Sequence, residues 1–392
     1  MEKYCKKESC NGCSACVNIC PMGCITMVPN EEGFLQPVID ETHCVDCGLC
    51  RKACPIMRES VPTEGETLAY AAINQDEAVR QTSTSGGVFT LLSQWVLNRG
   101  GVVFGAVYND RFEVMHCQAE TAEALAKFRG AKYAQSRLDD TFKKVASCLK
   151  DDRYVLFSGT PCQIGGLVAF LGQEYEKLIL VDLICHGVPS PKVWAHYIRY
   201  RSQQDAQGNV PSAINLRSKE TGWPGYSIRI DYPEGDIYSS PNSQDPYLRG
   251  FVGNLFLRPS CYNCHFKGSI RQSDFTLGDY WGVWDQLPEY HDGKGTSLIL
   301  LHTKKAKQLW DEVSQYMCVS AVNITAALTE NPSATVSSPL PERRSEFFVR
   351  YENEDFQVLV EELLPKPVVV RPSFLKRILR KVKQLARKIL PV

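Results

Sequence analysis

Two cysteine runs in the first 54 residues constrain this chain more than any other feature. The first is Cys10-x2-Cys13-x2-Cys16-x3-Cys20, followed by Pro21. The second is Cys44-x2-Cys47-x2-Cys50-x3-Cys54, followed by Pro55. The short x2 steps wrap three thiolates round one face of a cubane, and the fourth cysteine reaches the neighbouring cluster. The spacing therefore assigns Cys10, Cys13, Cys16 and Cys54 to one [4Fe–4S] cluster. Cys44, Cys47, Cys50 and Cys20 take a second. Paired CxxC motifs also bind zinc, but a four-ligand zinc site gives no reason for two copies of CxxCxxCxxxCP. Gly12 and Gly48 are expected to let backbone N–H groups approach the sulfurs. Cys5 and Cys24 fall outside the runs and read as packing cysteines, with a substitute-ligand role open to Cys5.

The chain has 392 residues, 17 of them cysteine, and is 44% hydrophobic and 22% charged. That allows two or three domains with ordinary cores. Net charge is zero, so no global field points to nucleic acid. The opening Met-Glu-Lys-Tyr-Cys has no secretory h-region. No run approaches the ~20 apolar residues of a membrane span. The cysteines are therefore expected to be reduced, cytoplasmic and used for metal.

Beyond a linker at residues 60–66, strand and helix patterns alternate. Strands are expected at Thr67–Ile73, Gly101–Tyr108, Tyr154–Ser158 and Leu178–Ile184. Helices are expected at Gly87–Asn98, Arg137–Lys150, Pro161–Leu171 and Pro191–Arg201. This alternation suggests βαβ units and a mostly parallel sheet. Residues 205–300 are rich in Gly, Pro and aromatics and show no clear period.

Four more cysteines stand in telling places. Cys162 lies in Ser158-Gly-Thr-Pro-Cys-Gln163, where Thr160, Pro161 and Gln163 mark a helix start. A helix N-terminus favours a thiolate. Cys185 ends the next strand, which brings both thiols to the carboxyl edge of a parallel sheet. Cys261 and Cys264 form a CxxC pair. Together the four suit a third cluster. Two buried cysteines with a separate structural CxxC fit the spacing as well, and a redox or nucleophilic Cys162 assisted by His186 is a further reading. Cys117, Cys148 and Cys318 read as core.

Several motifs in order resemble the β subunit of the coenzyme F-420 hydrogenase/dehydrogenase family, preceded by a fused ferredoxin module. They are Thr84-Ser-Gly-Gly87, Gly130-Ala-Lys-Tyr-Ala-Gln-Ser136, Ser158–Gln163, Asp182-Leu-Ile-Cys-His-Gly-Val-Pro-Ser190, the Cys261/Cys264 pair and Arg271-x2-Asp274-Phe-Thr-Leu-Gly-Asp-Tyr-Trp-Gly282. The resemblance implies FAD and a [4Fe–4S] cluster in the body, and electron exchange with a deazaflavin or with cluster-bearing partners. It strengthens the third-cluster reading of Cys162, Cys185, Cys261 and Cys264. Ser85, Gly86 and Gly87 open a helix and suit a pyrophosphate, although an ordinary N-cap explains them too. Lys132 is a candidate for phosphate charge, Tyr133 for a flavin-facing ring, and Thr160 and Asp279 for further cofactor contacts. A turn role suits Asp274 and Asp279 equally. No GxGxxG fingerprint follows a strand, so a Rossmann NAD site is not expected.

Residues 373–390 carry Phe374, Leu375, Ile378, Leu379, Val382, Leu385, Ile389 and Leu390 on one helical stripe, with seven Lys and Arg elsewhere and no acid. This suits an anionic membrane surface; docking on protein suits it too. The expected architecture is an α+β ferredoxin-like dicluster module (1–60), an α/β body with a mostly parallel sheet (61–150 and 151–345), and a tail with a basic amphipathic helix (346–392). The expected function is a flavin and iron–sulfur oxidoreductase exchanging electrons with a redox partner protein or a small-molecule donor or acceptor. A non-catalytic electron-transfer subunit and a cluster-containing interaction protein are the alternatives.

Overall fold

The computed structural model describes residues 5–58, 66–268 and 271–364. Most of the expected linker and the whole basic stripe at 373–390 lie outside the described residues. Near the N-terminus, helices Ala15–Ile19 and Leu49–Lys52 accompany an antiparallel hairpin of β1 (Ile25–Pro29) and β2 (Leu35–Ile39). This α+β module is too small for a core of its own. It places Ala15 and Ala53 in a core shared with helices Thr141–Lys150 and Pro161–Leu171.

The body contains β3 (Leu68–Asn74), β4 (Val102–Tyr108), β5 (Val114–Ala119), β6 (Val155–Ser158) and β7 (Leu178–Leu183). Then come β8 (Ala213–Ser218), β9 (Ser227–Asp231) and β10 (Ile237–Pro241), which form a separate antiparallel sheet. The last three strands are β11 (Phe275–Asp279), β12 (Ser297–Leu301) and β13 (Met317–Ala321). Eight strands make the main sheet in the order β13-β3-β12-β11-β7-β6-β4-β5.

Pairs β4–β6, β6–β7 and β7–β11 are parallel, and the other four are antiparallel. The sheet is mixed, which corrects the expectation of a mostly parallel one. Regular strand–helix alternation holds only around β4, β6 and β7. β5 returns directly from β4, and β12 and β13 enter on the far side in antiparallel pairings. β4 pairs with β6 across residue 150, so the boundary drawn there falls inside one sheet. The tail boundary at 346 also moves. Helices Arg344–Arg350 and Phe356–Leu363 bury Phe347, Phe356, Leu359 and Val360 in a core with Trp194, Tyr197 and Tyr247.

Strand alternation sets the two faces. Val103, Leu156 and Ile179 pack under helices Val88–Leu97 and Lys304–Val313. Their neighbours Phe104, Phe157 and Leu180 face Phe142, Val145, Ile164 and Leu167. Among the described residues no helix is long and apolar enough to cross a membrane.

Two histidines are buried in this framework. Burial pulls His116 from the ordinary 6.5 to about 4. Burial, then the charge of Arg271, pulls His302 to about 3. The folded chain therefore refuses protons that the unfolded chain accepts below about pH 6.5. Stability should fall as pH drops from 6.5 toward 4, by about 1.4 kcal/mol per pH unit per histidine. Denaturant midpoints between pH 7 and 5 should decline less steeply in a His116→Gln/His302→Gln double variant; equal slopes would refute this.

Candidate functional site

The N-terminal thiols gather into two groups. Cys5 hydrogen-bonds both Cys10 and Cys54, and Cys13 and Cys16 lie within the electrostatic reach of Cys10 and Cys54. Cys54 thus stands with Cys10, Cys13 and Cys16. Cys20 lies 3.5 Å from Cys24, which also bonds Cys44, and Cys50 interacts with Cys47 and Cys44. The two groups differ in setting. Cys10 and Cys54 are buried, whereas Cys47 is exposed. Gly12, at φ +65°, donates its N–H to Cys10 Sγ at 3.4 Å. A β-carbon there would meet Arg258 Nη1 at 2.7 Å.

The buried group faces the body. Helix Pro161–Leu171 passes so close that a β-carbon on Gly166 would lie 2.9 Å from Cys13 Sγ. The same helix carries Cys162 in its first turn, with Gln163 Oε1 accepting from Thr160 N at 2.9 Å. Cys162, Cys185, Cys261 and Cys264 line one small pocket together with Arg258, Lys267 and Arg271. Thr160 Oγ1 is 3.1 Å from Cys162 Sγ, and Val188 N donates to Cys261 Sγ at 3.4 Å. Among the described residues no three His, Cys, Asp or Glu side chains surround a single metal ion. Cubane ligands each bind a different iron and need not converge on one point.

The helix N-terminus does not make Cys162 a thiolate. Burial, then the nearby Cys185, pushes its pKa well above the thiol range. Burial likewise pushes Cys185 to about 11 and Cys261 to about 12. His186 is no base for Cys162: Nε2 lies 3.2 Å from Phe251 O and Nδ1 3.4 Å from Ser333 Oγ.

Beside this pocket runs a cleft of about 670 Å3 at the carboxyl edge of the main sheet, beneath β8–β10. That is within the roughly 300–1,000 Å3 range of small-molecule sites. Cys162 and Cys185 line both cavities. Ser85, Gly87, Lys132, Tyr133, Thr160 and Asp279 also line the cleft. Gly86 does not contribute a free donor, since its N–H goes to Ser297 Oγ at 2.9 Å. Its missing β-carbon would lie 2.2 Å from Ala72 O, so glycine there serves close packing. Ser85 Oγ is spent on Thr296 O at 2.8 Å.

Lys132 also differs from expectation. Its Nζ lies 2.9–3.1 Å from the carbonyls of Lys127, Phe128, Arg129 and Gly130, which saturate its three N–H donors. Burial draws its pKa down to about 7. Cation character in the cleft comes instead from Arg217 and Arg129, neither of which carries a signal in the sequence.

Arg217 Nη1 donates to Asp279 Oδ2 at 2.8 Å and to Tyr133 Oη at 3.2 Å, and its guanidinium lies 3.9 Å from the Tyr226 ring centre. Asp279 also accepts from Trp223 Nε1 at 3.0 Å. It therefore orients Arg217. Asp274 is structural, accepting from Leu180 N at 2.9 Å and Thr303 Oγ1 at 2.6 Å. Replacing Asp279 with alanine strands a buried cation and should cost about 3–5 kcal/mol. Thermal unfolding should show the loss, and an added Arg217→Met should recover much of it; equal losses in single and double variants would refute the pairing.

Buried thiols, cations and a cleft define an iron–sulfur protein when the N-terminal region is compared with known families. Residues 9–57 match the 4Fe-4S dicluster domain. Residues 152–326 match the C terminus of the beta subunit of coenzyme F420 hydrogenase/dehydrogenase. The chain thus joins a 4Fe–4S dicluster domain to a region of that family of beta subunits.

Among curated proteins, the F subunit of F(420)H(2) dehydrogenase from Methanosarcina mazei is 24% identical over 190 residues, covering 45% of this chain and 53% of that one. The methylamine utilization ferredoxin-type protein MauM of Methylobacillus flagellatus is 41% identical over 54 residues, covering 12% and 23%. The chain therefore spans about half of the first relative and less of the second. A chain of the solved F420-reducing [NiFe] hydrogenase complex from Methanosarcina barkeri is 18% identical, with a TM-score of 0.46, covering 78% of this chain and 95% of that one.

Proposed function

We propose that the chain is a flavin- and iron–sulfur-dependent oxidoreductase component that joins a one-electron partner to two-electron chemistry in its cleft. Cys10, Cys13, Cys16 and Cys54 would hold one N-terminal cluster, and Cys20, Cys44, Cys47 and Cys50 the other. Cys162, Cys185, Cys261 and Cys264 would hold a third. The observation that carries this reading is the wall common to both cavities, formed by Cys162 and Cys185.

The residues fit these groups. A thiolate-bound [4Fe–4S] cluster is an anion, and Arg258, Lys267 and Arg271 line the thiol pocket. The cleft walls hold Arg217 Nε, Arg217 Nη2 and His116 Nδ1, buried without a hydrogen-bond partner among the described residues. Gly130, at φ +86°, has no atom within 4 Å of its β-carbon position, so the wall there is open. Gly130, Arg129, Tyr133, Trp281 and Arg217 would hold FAD, with Thr160 on the wall beside Cys162. FAD supplies exchange between two-electron and single-electron transfer. Arg217, kept charged by Asp279, would oppose negative charge in the cleft. The thiol pocket would exclude water from the junction.

The exposed N-terminal group suits contact with a redox partner protein. Residues 373–390 would add contact with anionic lipid; co-sedimentation with anionic vesicles should be lost on deleting 373–392, and unchanged binding would end that idea. The main reading is tested by anaerobic purification with iron, sulfide and flavin quantitation. About twelve irons and one FAD per chain are expected from three cubanes. About eight irons without flavin would overturn the flavin and third-cluster assignments.

A further inference from the structure

Six arginines are buried among the described residues: Arg80, Arg201, Arg217, Arg258, Arg271 and Arg344. Five face a carboxylate. Arg80 pairs with Asp292 at 2.6 Å, Arg217 with Asp279 at 2.8 Å, Arg344 with Glu32 at 2.6 Å, Arg271 with Asp182 at 3.7 Å, and Arg201 with Asp205. Arg258, the most buried at 1% exposure, has no carboxylate partner among the described residues. Its Nε donates to Cys10 O at 2.6 Å, Nη1 to Gln135 Oε1 at 2.8 Å and Nη2 to Leu35 O at 2.9 Å. All three acceptors are neutral. They satisfy the guanidinium's hydrogen bonds and leave its charge uncompensated.

A buried uncompensated cation is costly, so its position should explain its presence. Arg258 stands between two thiol groups. On one side it grips the backbone of Cys10, and Gly12 lacks the β-carbon that would displace its guanidinium. On the other it lines the pocket of Cys162, Cys185, Cys261 and Cys264, with Cys261 N bonded to its own carbonyl at 2.9 Å. Asn11 lines that pocket too, and Gln135 ties Asn11 O at 2.8 Å to the same network.

We propose that Arg258 is the shared counter-charge of two iron–sulfur clusters, the one at Cys10, Cys13, Cys16 and Cys54 and the one at Cys162, Cys185, Cys261 and Cys264. This rests on the third-cluster reading above. Each cluster becomes more negative by one charge when it takes an electron. A fixed cation between them favours that state in both, and so raises both reduction potentials. It is a positioning residue: it touches protein carbonyls and acts through charge. The exposed site of Cys20, Cys44, Cys47 and Cys50 lies outside its grip. Lys267 lines only the third pocket and donates to Cys185 O and to Ser333 O.

The test is an EPR-monitored redox titration of the iron-loaded full chain, with iron counted on the same samples. Arg258→Gln keeps donors for the carbonyls and removes the charge. It should lower the midpoints of two signals and leave the third unmoved. Arg258→Lys keeps the charge and should stay near the parent on both. Lys267→Met should lower one of the two alone. Full iron content with no shift in Arg258→Gln, with a shift in one signal only, or with the same shifts in Arg258→Lys, would overturn the shared counter-charge. An iron count of only two clusters in the parent would instead remove the third-cluster reading beneath it.

Discussion

A Cys54→Ala chain should lose about four of its twelve irons, and the cluster it keeps in the N-terminal module should be the exposed one. Cys54 belongs to the second run in sequence but stands with Cys10 and Cys13 in space. A Cys20→Ala chain should lose the same amount of iron and keep the buried cluster. A membrane-impermeant iron chelator separates the two outcomes. Iron remaining in the N-terminal module of Cys54→Ala should be stripped quickly, because Cys47 is exposed. In Cys20→Ala it should persist, because Cys10 is buried and Cys13 lies under helix Pro161–Leu171. If the two variants lose iron at equal rates, the exchanged fourth ligands are not where the spacing and the fold place them.

Cys185→Ala should have a different signature. It too should drop the iron count by about four, but both N-terminal signals should survive. Cys185 lies on the wall of the cleft as well as of the thiol pocket. Bound flavin should therefore remain while its reduction by a one-electron donor protein slows to the rate of free FAD with that donor. Stopped-flow absorbance of the flavin band, with iron counted on the same sample, gives both readouts. Unchanged flavin reduction with eight irons would show that electrons bypass this pocket.

Local signals in the chain were legible and non-local ones were not. The helix at Pro161–Leu171 was expected at its observed bounds, because Thr160, Pro161 and Gln163 declare its start without help from the rest of the fold. The cysteine runs carried the N-terminal sites for the same reason: their geometry is written in spacings of two and three residues. The sheet was misread where pairing partners lie far apart. β11 joins β7 about ninety residues upstream, and β12 pairs with β3 across more than two hundred, distances over which periodicity says nothing.

Arg217 shows the same limit at the site. Nothing around it in β8 distinguishes it from a surface arginine. Its role comes from Asp279, which a different sheet carries to 2.8 Å. Lys132 failed as a phosphate ligand because the carbonyls ending helix Ala122–Ala126 reach it first. Arg258 was invisible as a special residue until its neighbours could be examined for a carboxylate.

The measurement that bears most directly on the account is iron anomalous scattering from crystals of the chain grown without oxygen and supplied with FAD. Three iron peaks are expected, the third enclosed by Cys162, Cys185, Cys261 and Cys264 and separated from flavin density by the wall those first two cysteines form. Iron confined to the N-terminal module, or a lone zinc among the four body thiols, would contradict it.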